Sequence, residues 1–111
     1  MQTIKRGEVW WVSFDPAVGG EIRKTRPAVV VSNNAANAVL NRVVVVPLSS
    51  QTSKLYPGEA RVRVEGRESK AMADQIMTAS KERLRSRLGA LTPNDLRAME
   101  DALLVQLGIR R

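Results

Sequence analysis

The sequence predicts a mainly β fold with some α-helix: a small, partly open β-barrel with one C-terminal helix packed against it. Several short segments are rich in β-branched and aromatic residues, long turn-rich loops separate them, and a single well-signalled helix closes the chain. With 111 residues, one domain spanning residues 1–111 is expected. A chain of this size buries a core without disulfide or metal support.

The first strand is predicted over Glu8–Phe14. Alternation along a strand places one set of side chains on each face: Trp10, Val12 and Phe14 on one, and Val9, Trp11 and Ser13 on the other. Asp15-Pro16 ends this strand, and the glycine-containing segment Ala17–Thr25 predicts a long loop. Trp10 is therefore a predicted core residue.

Two further strands consist of nearly continuous aliphatic residues. Arg26-Pro27 leads into a strand over Ala28–Ser32, where proline is tolerated at the start. Val43–Leu48 is the third strand. Continuous aliphatic runs of this length predict burial on both faces of the sheet.

The remaining segments are assigned from their alternation and turn residues. Along the chain they are a turn or short helix over Asn33–Leu40, a polar loop over Ser49–Gly58, a half-exposed strand over Ala60–Glu65, a turn over Gly66–Lys70, a strand over Lys70–Thr78, a helical turn over Ser80–Arg83 and a last strand over Arg85–Ala90. For residues 70–78 the periodicity fits a strand or a helix, and the position between strands favours a strand. Arg61 and Arg63 lie on the outer face of their strand, where a solvated surface is favoured over a phosphate track.

The C-terminal helix carries a start signal, a buried face and a stop signal. Thr92 is the predicted N-cap, Pro93 the first helical residue, and Asp95 favours the positive end of the helix dipole. Leu91 and Leu96 are spaced for a hydrophobic staple. The apolar face comprises Leu96, Met99, Leu103 and Leu107, and Gly108 ends the helix.

Composition excludes several classes of protein. The chain has eighteen Lys and Arg residues and eleven Asp and Glu residues, so its net charge is +7. This excess points to a polyanionic partner, and an unspecialised basic surface is the alternative. No Cys or His is present, so catalytic triads with histidine, thiolate nucleophiles and zinc fingers are excluded. The N-terminus lacks the apolar segment of a signal peptide, and no aliphatic run could span a bilayer. We therefore expect a cytoplasmic protein without membrane contact.

RNA cleavage is one reaction that this residue set could support. The ribose 2′-OH lies beside its own phosphate, so the substrate supplies the nucleophile and DNA is discriminated against. Arginine suits the charge of the phosphorane because its planar fork matches phosphate oxygens. Arginine is a poor proton shuttle, since its pKa lies far above neutral and its guanidinium stays charged. A carboxylate or hydroxyl must therefore assist.

Two segments carry suitable groups. The first, from Gly19 to Pro27, holds Glu21 among three cations, and Pro27 favours an extended Arg26 at the mouth of a strand. The second, Pro47–Thr52, passes from a buried strand to hydroxyls and an amide. Strand ends are rigid enough to hold catalytic groups. An ordinary solvated loop and an ordinary turn are the alternative interpretations.

The chain resembles the MazF/PemK family of bacterial toxin endoribonucleases along nearly its whole length. The matching motifs are Lys5-Arg6-Gly7-Glu8-Val9-Trp10-Trp11, Phe14-Asp15-Pro16, Val18-Gly19-Gly20-Glu21, Arg26-Pro27-Ala28-Val29-Val30-Val31, Val45-Val46-Pro47-Leu48-Ser49-Ser50, Tyr56-Pro57 and Ala73-Asp74-Gln75-Ile76. Each motif alone is weak, but their order and spacing are specific.

The resemblance implies an SH3-like barrel that forms a homodimer. It implies sequence-selective, ribosome-independent cleavage of single-stranded mRNA, without metal or cofactor, to a 2′,3′-cyclic phosphate and a 5′-OH. It also implies a cognate antitoxin whose acidic, disordered tail covers the RNA groove. The alternatives are a non-catalytic barrel that binds nucleic acid or peptide and a gyrase-poisoning toxin of the same (CcdB-like) architecture.

The family's catalytic positions fall on three residues. Arg26 matches the arginine before proline, with phosphorane stabilisation as its role and leaving-group protonation open to it. Ser49 matches the strand-end hydroxyl, which contacts the scissile phosphate or orients the 2′-OH. Glu21 matches the loop glutamate, a candidate base or RNA contact, although Gly20 replaces the family's serine. Some members use a histidine in the first loop, and this chain has none.

A wider set of residues is predicted to contact RNA. It comprises Arg23, Lys24, Thr25, Ser50, Gln51, Thr52, Lys54, Tyr56 and Gln75. For Gln75 the alternative is closure of a turn. Trp11 is predicted to stack on a base or an antitoxin side chain, with burial in a dimer interface as the alternative.

Overall fold

The computed structural model describes residues 3–15 and 24–110. In these ranges the strands are β1 Glu8–Ser13, β2 Thr25–Val30, β3 Arg42–Ser49, β4 Glu59–Val64, β5 Arg67–Met72, β6 Met77–Ser80 and β7 Leu84–Ala90. The helices are α1 Asn34–Val39 and α2 Pro93–Leu107, with 3₁₀ turns at Ala73–Gln75 and Lys81–Arg83. Residues 16–23 lie outside the described residues. They include the predicted strand end at Pro16, most of the predicted loop 17–25, and the predicted site residues Glu21 and Arg23.

The strands form a curled, antiparallel sheet in the order β4-β5-β3-β2-β1-β7, and β6 pairs with the first half of β3. The β1–β7 ladder is interrupted by register shifts on both sides of Trp10, and such bulges increase the local twist. The curl brings the tip of the β4–β5 hairpin to β7. The contact is made by the Glu65 side chain, which lies beside Gly89. The predicted partly open barrel is confirmed.

Two hydrophobic cores cover opposite faces of the central strands. The first contains Trp10, Val12, Phe14, Ala28, Val30, Val43 and Val45, and the second contains Val9, Val29, Val46, Leu48, Val62, Val64 and Met99. Neighbouring residues of β1, β2 and β3 thus enter different cores. The predictions of burial on both faces and of a core role for Trp10 are confirmed.

Helix α2 packs on the second core through Met99, which is fully buried. The Thr92 side chain accepts a hydrogen bond from the Asp95 amide at 3.2 Å, as predicted for an N-cap. Asp95 also fixes the helix to the sheet, since its carboxylate accepts from the Arg63 amide at 2.8 Å. Gly108 adopts φ 68° after the last turn, which is the expected glycine stop.

Three predictions about these elements were wrong. Leu107 is 54% exposed, because the last turn of α2 extends beyond the second core. The predicted strand over 70–78 is two strands separated by the turn Ala73–Gln75, whose Ala73 amide donates to the Gly58 carbonyl at 3.0 Å. The turn predicted over 66–70 is limited to Glu65-Gly66, since β5 begins at Arg67.

The short helix predicted as one option for 33–40 is present, with the Asn33 side chain accepting from the Ala36 amide at 2.8 Å. The predicted helical turn near 80–83 is the 3₁₀ turn Lys81–Arg83. Among the described residues, no helix is long and apolar enough to cross a membrane.

Candidate active site

A split in the sheet between β2 and β3 creates a cleft among the residues that the structure describes. The two strands pair from Val30–Val45 to Ala28–Pro47 and no further. Beyond that point β3 pairs only on its other edge, where Leu48 and Ser49 meet β5. The start of β2 remains paired with β1 alone.

Pro27 disfavours pairing between β2 and β3 beyond this point. The Val31 amide donates to the Val44 carbonyl at 2.9 Å, and hydrogen-bonded pairs alternate along an antiparallel ladder. By this alternation Val29 and Val46 form the next hydrogen-bonded pair, and the first donor beyond the split would be the amide of residue 27, opposite Leu48. Proline has no N–H and cannot donate it. The missing donor faces β3, so the pairing of Pro27 with Trp11 on β1 is retained.

The split opens into a cavity of about 360 Å³. Both of its edges contribute, and the lining residues are Trp11, Arg26, Pro27, Leu48, Ser49, Ser50, Val64, Glu65, Arg67, Ser69 and Leu88. If the register of β2 and β3 is extended across the gap, Arg26 falls opposite Ser49. The two predicted catalytic residues of the described region therefore line one cavity from opposite edges.

Ser49 is held rigidly at the end of β3. It is only 8% exposed, and its Oγ accepts a hydrogen bond from the Gln51 amide at 3.1 Å. A hydroxyl has a donor and two acceptor positions, so this bond leaves the O–H to donate to a bound group. Arg26 is half-buried in β2, one residue from the proline that ends the ladder. A fixed hydroxyl and a guanidinium are suitable ligands for a phosphate.

One wall of the cavity is apolar and continues the second core. Trp11 pairs with Pro27, so both lie on the sheet face that carries Val9 and Val29. Val64 belongs to the second core and also lines the cavity. Trp11 is half-buried, and its indole offers a stacking surface within the cleft. The role of Trp11, either stacking on a base or an antitoxin side chain or burial in a dimer interface, stays a prediction.

The β4–β5 hairpin supplies three polar side chains that sequence reasoning missed: Glu65, Arg67 and Ser69. In the hairpin register Val64 pairs with Arg67, and Val62 with Ser69. Opposite residues share a face, so Arg67 and Ser69 lie on the inner side with the two valines. The sequence signal for this hairpin is the dipeptide Glu65-Gly66 between two alternating segments, because two residues are enough to close a hairpin.

The loop 50–58 follows Ser49 and is fixed by a buried ion pair. Lys70 Nζ lies 3.1 Å from Glu59 Oε1, and both side chains are less than 10% exposed. The same ammonium donates to the Lys54 carbonyl at 3.1 Å, and Glu59 Oε1 accepts from the Tyr56 amide at 2.8 Å. Lys70 was not among the predicted functional residues. Its contacts hold the loop that leads away from the cavity.

Of the described residues predicted to contact RNA, Ser50 lines the cavity and the others lie outside its lining. Lys54 Nζ stands 5.2 Å from the centre of the exposed Tyr56 ring. Arg61 donates to the Thr52 carbonyl at 3.1 Å. Gln51, Thr25 and Lys24 are exposed near the ends of the strands that form the split, and Gln75 is half-buried in its 3₁₀ turn. These residues remain predicted contacts.

Comparison with known proteins identifies the family of the chain. Residues 5–107 match the model of the family described as PemK-like, MazF-like toxins of type II toxin–antitoxin systems. The chain belongs to this toxin family. The matched range includes the split strands, the cavity and helix α2, so the family assignment covers every element that forms the site.

Individual members of the toxin family are similar over their full length. Endoribonuclease MazF9 of Mycobacterium tuberculosis is 36% identical, with 96% of this chain and 98% of the relative covered. A mycobacterial endoribonuclease in complex with its cognate antitoxin has a TM-score of 0.82 at 28% identity, covering 97% of this chain and 98% of the other. MazF from Deinococcus radiodurans has a TM-score of 0.85 at 25% identity, covering 98% and 100%.

Proposed function

We propose that this chain is the toxin of a type II toxin–antitoxin system and acts as an endoribonuclease on single-stranded RNA. The observation that carries the proposal is the meeting of Arg26 and Ser49 across the split sheet, in a chain that belongs to the PemK/MazF family. The 36% identical relative is named an endoribonuclease. One domain carries the activity, and cytoplasmic mRNA is the proposed substrate.

The chemistry follows from the groups that line the cavity. The 2′-oxygen attacks the adjacent phosphorus while the bond from phosphorus to the 5′-oxygen breaks. The proton of the 2′-OH passes to a base, and the departing 5′-oxygen gains a proton. The products are a 2′,3′-cyclic phosphate and a 5′-OH. Cleavage independent of the ribosome is proposed from family membership.

Arg26 and Ser49 have different roles in this scheme. The guanidinium of Arg26 neutralises the charge that accumulates on the phosphorane, and it is the candidate donor to the 5′-oxygen. Ser49 donates its O–H to the scissile phosphate or orients the 2′-OH. Its hydrogen bond from Gln51 sets the direction of the hydroxyl before substrate binds. Glu21, outside the described residues, remains the candidate base.

The proposed partners are an antitoxin and a second copy of the chain. One of the similar structures is an endoribonuclease with its cognate antitoxin. The net charge of +7 suits an acidic antitoxin tail that competes with RNA phosphates for the same cleft. Both interactions should weaken as salt increases. The homodimer is proposed from family membership.

The test is cleavage of a mixed-sequence, single-stranded RNA in the presence of a chelator. Arg26→Ala and Ser49→Ala are each expected to lower kcat by about 100-fold or more, as removal of one charge-stabilising donor does. The matched controls are Arg97→Ala and Ser86→Ala, whose side chains are exposed on α2 and β7 and outside the cavity. Both controls should cleave at the wild-type rate.

A second arm tests internal attack. Replacing the ribose at the cleaved nucleotide by 2′-deoxyribose should abolish cleavage at that position. Continued cleavage there would disprove attack by the 2′-OH. Unchanged rates in Arg26→Ala and Ser49→Ala would disprove the assigned site, and RNA that binds without being cut would favour a non-catalytic binding module.

A further inference from the structure

Glu65 occupies an unfavourable backbone position at the rim of the cavity. It forms the tip of the β4–β5 hairpin together with Gly66, and the two residues have φ of 50° and 76°. A two-residue turn of this kind requires positive φ at both positions, and asparagine, aspartate or glycine is favoured at the first. Glutamate is not. A strained backbone position beside the cavity suggests a role for the side chain that it carries.

The side chain of Glu65 lies across β7. A Cβ built at Gly89 would be 3.5 Å from Glu65 Oε1, 3.6 Å from Cδ and 3.7 Å from Cγ. The carboxylate thus extends from the hairpin tip toward the opposite edge of the curled sheet. Leu88, the neighbour of Gly89, lines the same cavity. Because Gly89 has no side chain, the Glu65 side chain rests against the backbone of β7 at this position.

The Glu65 carboxylate is distinguished from the acidic groups that hold the fold. The ion pairs among residues 3–15 and 24–110 use Glu8, Glu59, Glu68 and Glu100. Glu65 takes part in none of them, although Arg26 and Arg67 line the same cavity. The carboxylate is exposed and available to a ligand.

A carboxylate in a cleft for RNA repels phosphate, so its useful contact is with a nucleobase. Carboxylate oxygens accept hydrogen bonds only. The exocyclic amino groups of adenine, cytosine and guanine donate, and guanine also offers its adjacent ring N–H. Uracil presents a single ring N–H between two carbonyl oxygens, which a carboxylate repels. Unpaired bases in single-stranded RNA expose these edges.

We propose that Glu65 is a specificity-determining residue that accepts a hydrogen bond from the amino group of a base next to the scissile phosphate. The inference rests on the proposed endoribonuclease function. Trp11 lines the same cavity and supplies an aromatic face on which such a base stacks. The structure thus assigns one position of the recognition sequence to an amino-bearing base and excludes uracil there.

The experiment compares recognition sequences rather than activity alone. A randomised single-stranded RNA is cleaved by the wild-type protein, by Glu65→Gln and by Glu68→Gln, and the new 5′ ends are sequenced. Glu68 is the matched control because it lies opposite Arg63 in the hairpin register, on the face of the hairpin away from the cavity. Glu68→Gln also changes the charge by the same amount as Glu65→Gln. Glu65→Gln should lower the preference for the amino-bearing base over uracil roughly tenfold at one position. Glu68→Gln should retain the wild-type sequence.

Glu65→Asn separates recognition from folding. Asparagine is favoured at this turn position, so the variant should melt at or above the wild-type temperature while its preference at the same position relaxes. A recognition sequence unchanged in both Glu65 variants would overturn the inference. Equal loss of cleavage at every sequence would also overturn it, since it would place Glu65 in the chemistry. Wild-type protein that cleaves no RNA would instead refute the proposed function, and the inference with it.

Discussion

Replacing Lys70 by methionine should test how far a buried ion pair stabilises both the fold and the site. The Lys70 ammonium contacts Glu59 at 3.1 Å, with the two side chains 9% and 7% exposed. Removing one partner from a buried pair costs about 3–5 kcal/mol, because the other charge stays buried without compensation. The Tyr56 amide still donates to Glu59 Oε1 at 2.8 Å. We therefore expect the lower end, about 3 kcal/mol.

Urea denaturation of the folded protein measures this loss. With a slope of about 2 kcal/mol per molar urea, the midpoint of Lys70→Met should fall by roughly 1.5 M. The double variant Lys70→Met with Glu59→Met should recover most of the loss, since a well-packed apolar pair replaces a buried ion pair at little cost. The carbonyl of Lys54 and the amide of Tyr56 then turn to water, because both residues are exposed.

The matched control is the exposed pair Arg61–Glu68, which are 4.0 Å apart with side chains about half exposed. Arg61→Met should cost less than about 1 kcal/mol. Lys70→Met should also slow cleavage under conditions where the variant is fully folded, because Lys70 holds the loop that follows Ser49. A midpoint shift in Lys70→Met no larger than that in Arg61→Met would refute the reasoning. A double variant less stable than Lys70→Met would refute it equally.

Three other predictions concern individual positions. Pro27→Ala supplies the missing amide opposite Leu48, so β2 and β3 should pair one step further. Hydrogen exchange should then show protection of the amide of residue 27. The rate of RNA cleavage should fall, whereas the free energy of unfolding should not. Met99→Ala, at a fully buried position of α2, should lower the free energy of unfolding by about 2–5 kcal/mol. Thr92→Ala removes the cap on the Asp95 amide and should cost about 1 kcal/mol, whereas Thr92→Ser should be nearly neutral in the same urea titration.

The predictions that succeeded rest on local signals. Helix α2 could be predicted because its cap at Thr92 and its stop at Gly108 are set by neighbouring residues. Strand β1 could be predicted from its β-branched and aromatic residues, and β2 and β3 from their continuous aliphatic runs. The interrupted segment 70–78 could not, because the turn at Ala73–Gln75 depends on a hydrogen bond to Gly58, fifteen residues earlier along the chain. Alternating polarity carries no information about such a contact.

The site shows the same division between local and long-range information. Arg26 and Ser49 stand at strand ends, and family resemblance singles them out. Glu65 and Arg67 enter the cavity only because of the hairpin register and the curl of the sheet, which are set by pairing between distant segments. Lys70 reads as one more surface cation in the sequence. Its burial follows from the loop that folds over it.

The split of the sheet links the sequence most directly to function. A continuous β2–β3 ladder would pair the backbone beyond Ala28 and Pro47 and close the space between Arg26 and Ser49. Pro27 removes one of the two hydrogen bonds that a pair with Leu48 would form, while the other edge of β2 still pairs with β1. The same residue therefore ends a ladder and places an arginine at its mouth. Any residue other than proline at this position can donate the bond, so the missing N–H of Pro27 favours an open cleft between Arg26 and Ser49.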